Sequence, residues 1–139
     1  MTFLPEADQE FLATKGIVHE LLKESVNGSE RRGVLFPAFT FTGTLYAGEG
    51  AGGLVPCNSC DLLVMIADAY PTTKLDSFYT IPRLKRPDSS NPKNADVDTP
   101  MFGRTWQFWS RHLDDADWRP GIDSLQTYLS IVRDELRMA

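Results

Sequence analysis

Cysteine is scarce: Cys57 and Cys60, spaced C-x-x-C, are the only two in 139 residues. Histidine is equally scarce, with His19 and His112 alone and not in ligand-like spacing. A structural zinc needs four N or S donors, so the composition argues against one. A thioredoxin-type dithiol opens a helix, whose dipole lowers the thiol pKa. Here the pair precedes the strand-like run Asp61-Leu62-Leu63-Val64-Met65-Ile66 and reads as two reduced thiols entering a buried strand. Long hydrophobic runs are missing too. The longest, Leu62 to Ala67, is far too short to span a bilayer. An excess of basic residues is also lacking: Lys plus Arg is 14 against 19 Asp plus Glu, a net charge of −5. That balance excludes the electrostatic footprint of a dedicated nucleic-acid binder. Residues Met1 to Glu6 carry neither the basic region nor the apolar stretch of a secretion signal. The expectation is an acidic cytoplasmic protein with no metal, no organic cofactor, no nucleic-acid partner and no membrane partner.

What is present suffices for a core. Hydrophobic residues make up 42% of the chain, which rules out disorder throughout. The length suits one domain, residues 1–139. Pro5 to Lys15, with Ala7 and Phe11 four apart and Gly16 as a stop, predicts a short helix. Ile17 to Val26 reads as a strand ending in the hairpin signal Asn27-Gly28. Val34 to Thr42 reads as another, with Pro37 marking an edge or a bulge. The glycines between Gly48 and Gly53 lack the following helix and GK[ST] of a phosphate loop and suit a hairpin loop. Asp61 to Asp68 and Leu75 to Leu84 are two further strands, the first central in its sheet. Lys85 to Pro100, polar and with three prolines, predicts a long surface loop. At its start, Arg83, Lys85 and Arg86 read as a solvated basic face. Ile122, Leu125, Leu129, Val132 and Leu136 line one face of a C-terminal helix, with Asp123 and Gln126 as its capping box. The class is α+β: a helix, four antiparallel strands in a meander, a long loop and a helix. Leu63, Met65, Phe78, Leu125, Leu129 and Val132 are expected in the core.

All three tryptophans fall between Phe102 and Pro120, together with His112, Asp114, Asp115 and Asp117. Tyr70-Pro71 follows the central strand, and Trp118-Arg119-Pro120 precedes the last helix. With Leu62-Leu63-Val64, Asp76 to Tyr79 and Trp109-Ser110-Arg111-His112, this order resembles the ubiquitin-conjugating enzyme superfamily, and in particular prokaryotic family E. The resemblance implies a UBC-like fold with a long active-site loop. It implies three partners: a ubiquitin-like modifier protein, a ThiF-type activating enzyme and a JAB-type peptidase of the same pathway. It also implies a role in antiphage defence.

In that superfamily a catalytic cysteine lies about eight residues before the Trp of Trp-x-Pro. Here that position is Ser110. The usual His-Pro-Asn is replaced by Thr99-Pro100-Met101-Phe102, and no Asn follows Asn94 to polarise the reacting carbonyl. Arg104, Gln107 and Arg111 are left as donors. A serine nucleophile needs a general base within hydrogen-bond reach. His112 is two residues on, the same side of an extended segment, and Asp114, Asp115 or Asp117 could orient its imidazole. An isolated S-x-H is more often a surface serine beside a hydrogen-bonded histidine; its coincidence with the nucleophile position makes it a candidate site. Ser110 and His112 are thus the expected catalytic pair, supported by Trp109, Arg111, Asp117 and Trp118. The expected activity is acyl transfer, with the modifier carried as an oxyester. The alternatives are a non-catalytic module of the same fold and a self-contained serine hydrolase. The last is disfavoured because no nucleophile elbow is present.

Overall fold

The computed structural model describes residues 3–48, 53–70, 72, 74–75, 77–111, 118–119 and 122–139. Helix α1 (Glu6–Thr14) opens the chain and is stopped by Gly16, whose φ of 62° only glycine adopts freely. Its buried face is Asp8 and Leu12 rather than the Ala7–Phe11 pair, Ala7 being exposed and Phe11 half-buried. Strands β1 (Glu20–Val26) and β2 (Ser29–Thr40) form a hairpin about Asn27-Gly28, both with positive φ, as a tight two-residue turn requires. Pro37 marks a bulge: the β2 register shifts between Phe36 and Phe39, and Ala38 sits at a φ of 53°. A small hairpin of β3 (Tyr46–Ala47) and β4 (Val55–Pro56) flanks the glycine-rich stretch. Strand β5 (Ser59–Met65) then enters the middle of the sheet between β2 and β6 (Phe78–Ile81).

Among the described residues the sheet has six strands where four were expected, in the order β1-β2-β5-β6-β8-β7, all antiparallel. The two additional strands, β7 (Val97–Met101) and β8 (Arg104–Trp109), form a hairpin turned by Phe102 and Gly103. The long loop therefore ends at Asp96, and two of the three tryptophans, Trp106 and Trp109, sit on the regular strand β8. β7 escapes a periodicity argument because it is a mostly exposed edge strand, where Pro100 is tolerated. Nor is Arg83 merely solvated: it bonds Asn91, the Ala95 and Asp96 carbonyls and Asp98. That staples the connection between β6 and β7.

Helix α2 (Leu125–Met138) closes the chain, burying Leu125, Tyr128, Leu129, Val132 and Leu136. Ile122 lies before the helix and is 66% exposed. The N-cap is Ser124, whose backbone N–H donates to Thr127 Oγ1, so the cap falls one residue later than the Asp123–Gln126 pairing. Asp123 instead accepts from the Arg119 backbone and guanidinium. The main core joins α1, α2 and one sheet face through Leu12, Phe36, Leu62, Phe78, Trp109 and Leu129. Leu63 is buried on a second, smaller cluster with Met101 and Trp106, against which Met65 is only half-buried. There the β7–β8 turn curls over the sheet. Phe102 N–H donates to Glu24 on β1, and its ring lies where a side chain at Gly33 would collide with Leu63.

Candidate functional site

Two polar constructions position the end of β8. The first is buried in the sheet. Trp109 Nε1 donates to Thr80 Oγ1 (2.9 Å), and Thr80 donates to Gln107 Oε1 (3.0 Å). Gln107 also accepts from Leu84 N–H and donates to the Leu84 and Ala95 carbonyls. All four capacities of this buried amide are used, which fastens the segment after β6 onto β8. Gln107 is therefore a structural clamp, without a free donor for a reacting carbonyl. Trp109 is core as well, fully buried and stacked on Phe78 with ring centres 5.3 Å apart.

The second construction surrounds Ser110. Its N–H donates to the Asn94 carbonyl (2.9 Å), and its own carbonyl accepts from Arg111 Nη1 (2.9 Å). Arg111 also donates to Glu135 on α2 (2.9 Å) and to the Lys93 carbonyl (2.8 Å), and its guanidinium lies over the Trp109 ring. Ser77 exchanges bonds with the Arg111 backbone. The chain leaving β8 is thus held from three sides. A cleft of about 420 Å³ opens there, lined by Arg86, Lys93, Asn94, Ser110, Arg111 and Glu135, among others. Arg86, Lys93 and Arg111 make this rim cationic within an acidic chain, and Glu135 is engaged by Arg111. Such a rim suits an anionic or carboxyl-terminated ligand.

The expected site residues are thus distributed unevenly. Ser110 and Arg111 share the cleft, whereas Trp109 lies beneath it. Trp118 is buried and packs on Tyr70, centroids 6.3 Å apart. Tyr70 in turn donates its hydroxyl to buried Asp8, whose other oxygen accepts from Leu125 N–H at the start of α2. The Tyr70 and Trp118 motifs therefore meet in space and tie α1 to α2. Burial pushes the Asp8 carboxyl up, opposed by those two hydrogen bonds, and burial with the Asp8 partner pushes the Tyr70 hydroxyl up. His112, Asp114, Asp115 and Asp117 lie outside the described residues. Arg104 is directed elsewhere, pairing with Asp61 and lying over Trp106. Asn94, which sequence reasoning passed over because it precedes the aromatic segment, stands in the cleft at a φ of 55°. A turn residue of a type that tolerates positive φ was the only signal for it.

The cysteines stand apart from Ser110, at the entry to β5. Cys57 is half-buried and donates to the Ser59 carbonyl. Cys60 is buried, and its thiol is pushed far above the ordinary range by desolvation, which opposes a nucleophilic thiolate. Among the described residues no group of three or more His, Cys, Asp or Glu could hold a metal ion, and no helix is long and apolar enough to cross a membrane.

Two helices against a curled antiparallel sheet, with Tyr70 meeting Trp118, define an α+β protein consistent with the UBC-like class. Within that class, the model of prokaryotic E2 family E matches residues 4–139, essentially the whole chain, and the protein belongs to this family. No curated protein and no solved structure matches it. Family membership makes it a prokaryotic E2-like protein, of the kind that works with ubiquitin-like modifiers and activating enzymes.

Proposed function

We propose that this protein is the acyl carrier of a bacterial ubiquitin-like conjugation pathway, using Ser110. The Ser110 hydroxyl attacks the activated C-terminal carbonyl of the modifier on a ThiF-type activating enzyme. The bond to that enzyme breaks, and an oxyester to Ser110 Oγ forms. His112 takes the hydroxyl proton as general base, and Asp117 orients it. The Asn94 amide and the Arg111 guanidinium line the same cleft and stabilise the oxyanion. The acyl group then passes to an amine or hydroxyl, and a JAB-type peptidase reverses the modification. The pathway is cytoplasmic and serves antiphage defence.

One observation carries this reading: Ser110, about eight residues before Trp118, stands on a cationic cleft with its backbone fixed on both sides. Fixing the nucleophile before substrate arrives lowers the entropy cost of reaction. The test is reconstitution with ATP, a ubiquitin-like modifier and a ThiF-type activating enzyme. Ser110→Ala is expected to abolish the adduct, and Ser110→Cys to restore it in a reductant-sensitive form. His112→Ala is expected to slow charging by roughly 10² to 10⁴. An undiminished adduct in Ser110→Ala would end the serine assignment.

A second reading is a non-catalytic docking module. The half-buried stack of Tyr79 on Phe108 (5.2 Å), beside a groove lined by Met65, favours it. It predicts a non-covalent complex indifferent to Ser110→Ala.

A further inference from the structure

The cleft that Ser110 lines is also lined by a lysine. This is Lys93, and the backbone around it is fixed to the nucleophile at two points. The Lys93 carbonyl accepts from Arg111 Nη1 (2.8 Å), the nitrogen that also donates to the Ser110 carbonyl, and the adjoining Asn94 carbonyl accepts Ser110 N–H. Pro92 to Ala95 form a turn closed by Ala95 N–H on the Pro92 carbonyl, with Asn94 at positive φ. That geometry places Lys93 at the second position of the turn, at its corner. Gln107 and Arg83 both bond the Ala95 carbonyl, so the turn is anchored to β8 rather than loose. Among the described residues lining the cleft, the one acidic side chain, Glu135, is bonded to Arg111. Lys93 is the only lysine among them.

We propose that Lys93 is an internal acceptor: an acyl group carried on Ser110 passes in cis to the Lys93 amine, and the protein modifies itself there. The inference rests on the Ser110 reading. In the step, the Lys93 nitrogen lone pair attacks the carbonyl carbon of the oxyester. The C–N bond forms and the C–Oγ bond breaks. Ser110 Oγ takes up the proton that the nitrogen releases, leaving an isopeptide on Lys93 and a free serine. No co-reactant is needed, and an ester gives way to a more stable amide. Confinement to one cleft gives the amine an effective concentration that free amines in solution do not match.

The test uses the full chain and a fluorescent glycine-terminated peptide supplied as its mercaptoethanesulfonate thioester. Alkali separates the two products: the Ser110 oxyester is cleaved and the Lys93 isopeptide survives. The expected result is a labile adduct that converts to a resistant one at a rate independent of protein concentration. Peptide mass spectrometry is expected to place the resistant adduct on Lys93. Lys93→Arg is expected to lower the ratio of resistant to labile adduct at least tenfold, and Ser110→Ala to lose both. A labile adduct with no resistant product overturns the internal transfer and leaves the Ser110 reading standing. Resistant adduct on Lys93 in Ser110→Ala, or an unchanged ratio in Lys93→Arg, also overturns the transfer. Absence of both products in the unaltered chain overturns the Ser110 reading and the transfer with it.

Discussion

Replacing Gln107 with leucine tests the link between the fold and the cleft. The two side chains are similar in size, so the change deletes the amide while leaving the volume nearly filled. It strands the Leu84 N–H and the Leu84 carbonyl, and the Ala95 carbonyl keeps only the longer bond from Arg83. Thr80 loses its acceptor but can rotate its hydroxyl. Each stranded buried group costs roughly 1–3 kcal/mol. Two to three such groups, with partial relaxation, give about 3–6 kcal/mol. Against a typical domain stability of about 5–15 kcal/mol that is a large loss. Urea denaturation of the two proteins measures it, and amide hydrogen exchange localises it. Leu84 N–H is expected to lose protection. Ser110 N–H should follow, because the Asn94 carbonyl that holds it is next to the freed Ala95. A loss below about 1 kcal/mol, with the Leu84 amide still protected, would refute the clamp.

Leu129→Ala, at a fully buried position on α2, is expected to cost about 2–5 kcal/mol in urea denaturation; a loss under about half a kcal/mol would contradict the packing. The Arg119 guanidinium and backbone hold the Asp123 carboxyl below the usual carboxylate range. Its contribution is therefore complete above the unfolded value near 3.8 and is lost as pH falls through the lower native value. The stability difference between the unaltered protein and Asp123→Asn should shrink on acidification below that point; a constant difference would refute the pairing. Alkylation of the folded protein should label Cys57 and spare Cys60, with both reacting in denaturant. Cys57→Ser and Cys60→Ser are each expected to charge normally, and a folded variant that fails to load would return the chemistry to the thiols.

The parts of the fold legible from sequence are those whose burial has a period. The α2 stripe from Leu125 to Leu136 shows it because one helix face meets one core. The stripe fails at Ile122, one turn early, where Arg119 and Asp123 hold a non-helical approach. The Asn27-Gly28 hairpin and the Pro37 bulge were legible because turn and bulge chemistry is local. β7 was not, since an edge strand needs no alternation. Leu63 was expected in the core and is buried, but its place on the smaller cluster was not legible, because both sides of β5 are covered and its apolar run carries no sidedness. At the candidate site, counting from Trp118 pointed to Ser110, a residue that lines the cleft. The Gln107 clamp and the arrival of Lys93 and Asn94 beside Ser110 could not, because both arise from contacts between distant segments. Arg83 looked like part of a solvated face because its partners, Ala95, Asp96 and Asp98, lie across a loop whose closure no local pattern announces.

The central claim is that the modifier is carried on an oxygen, at Ser110. The most direct measurement is the linkage in the unaltered protein after a brief incubation with activating enzyme, modifier and ATP. The adduct is divided between excess reductant and hydroxylamine, and the attachment site is read by peptide mass spectrometry. The account predicts a one-to-one adduct that survives reductant, is released by hydroxylamine and maps to Ser110. An adduct that reductant removes, mapping to Cys57 or Cys60, would contradict it.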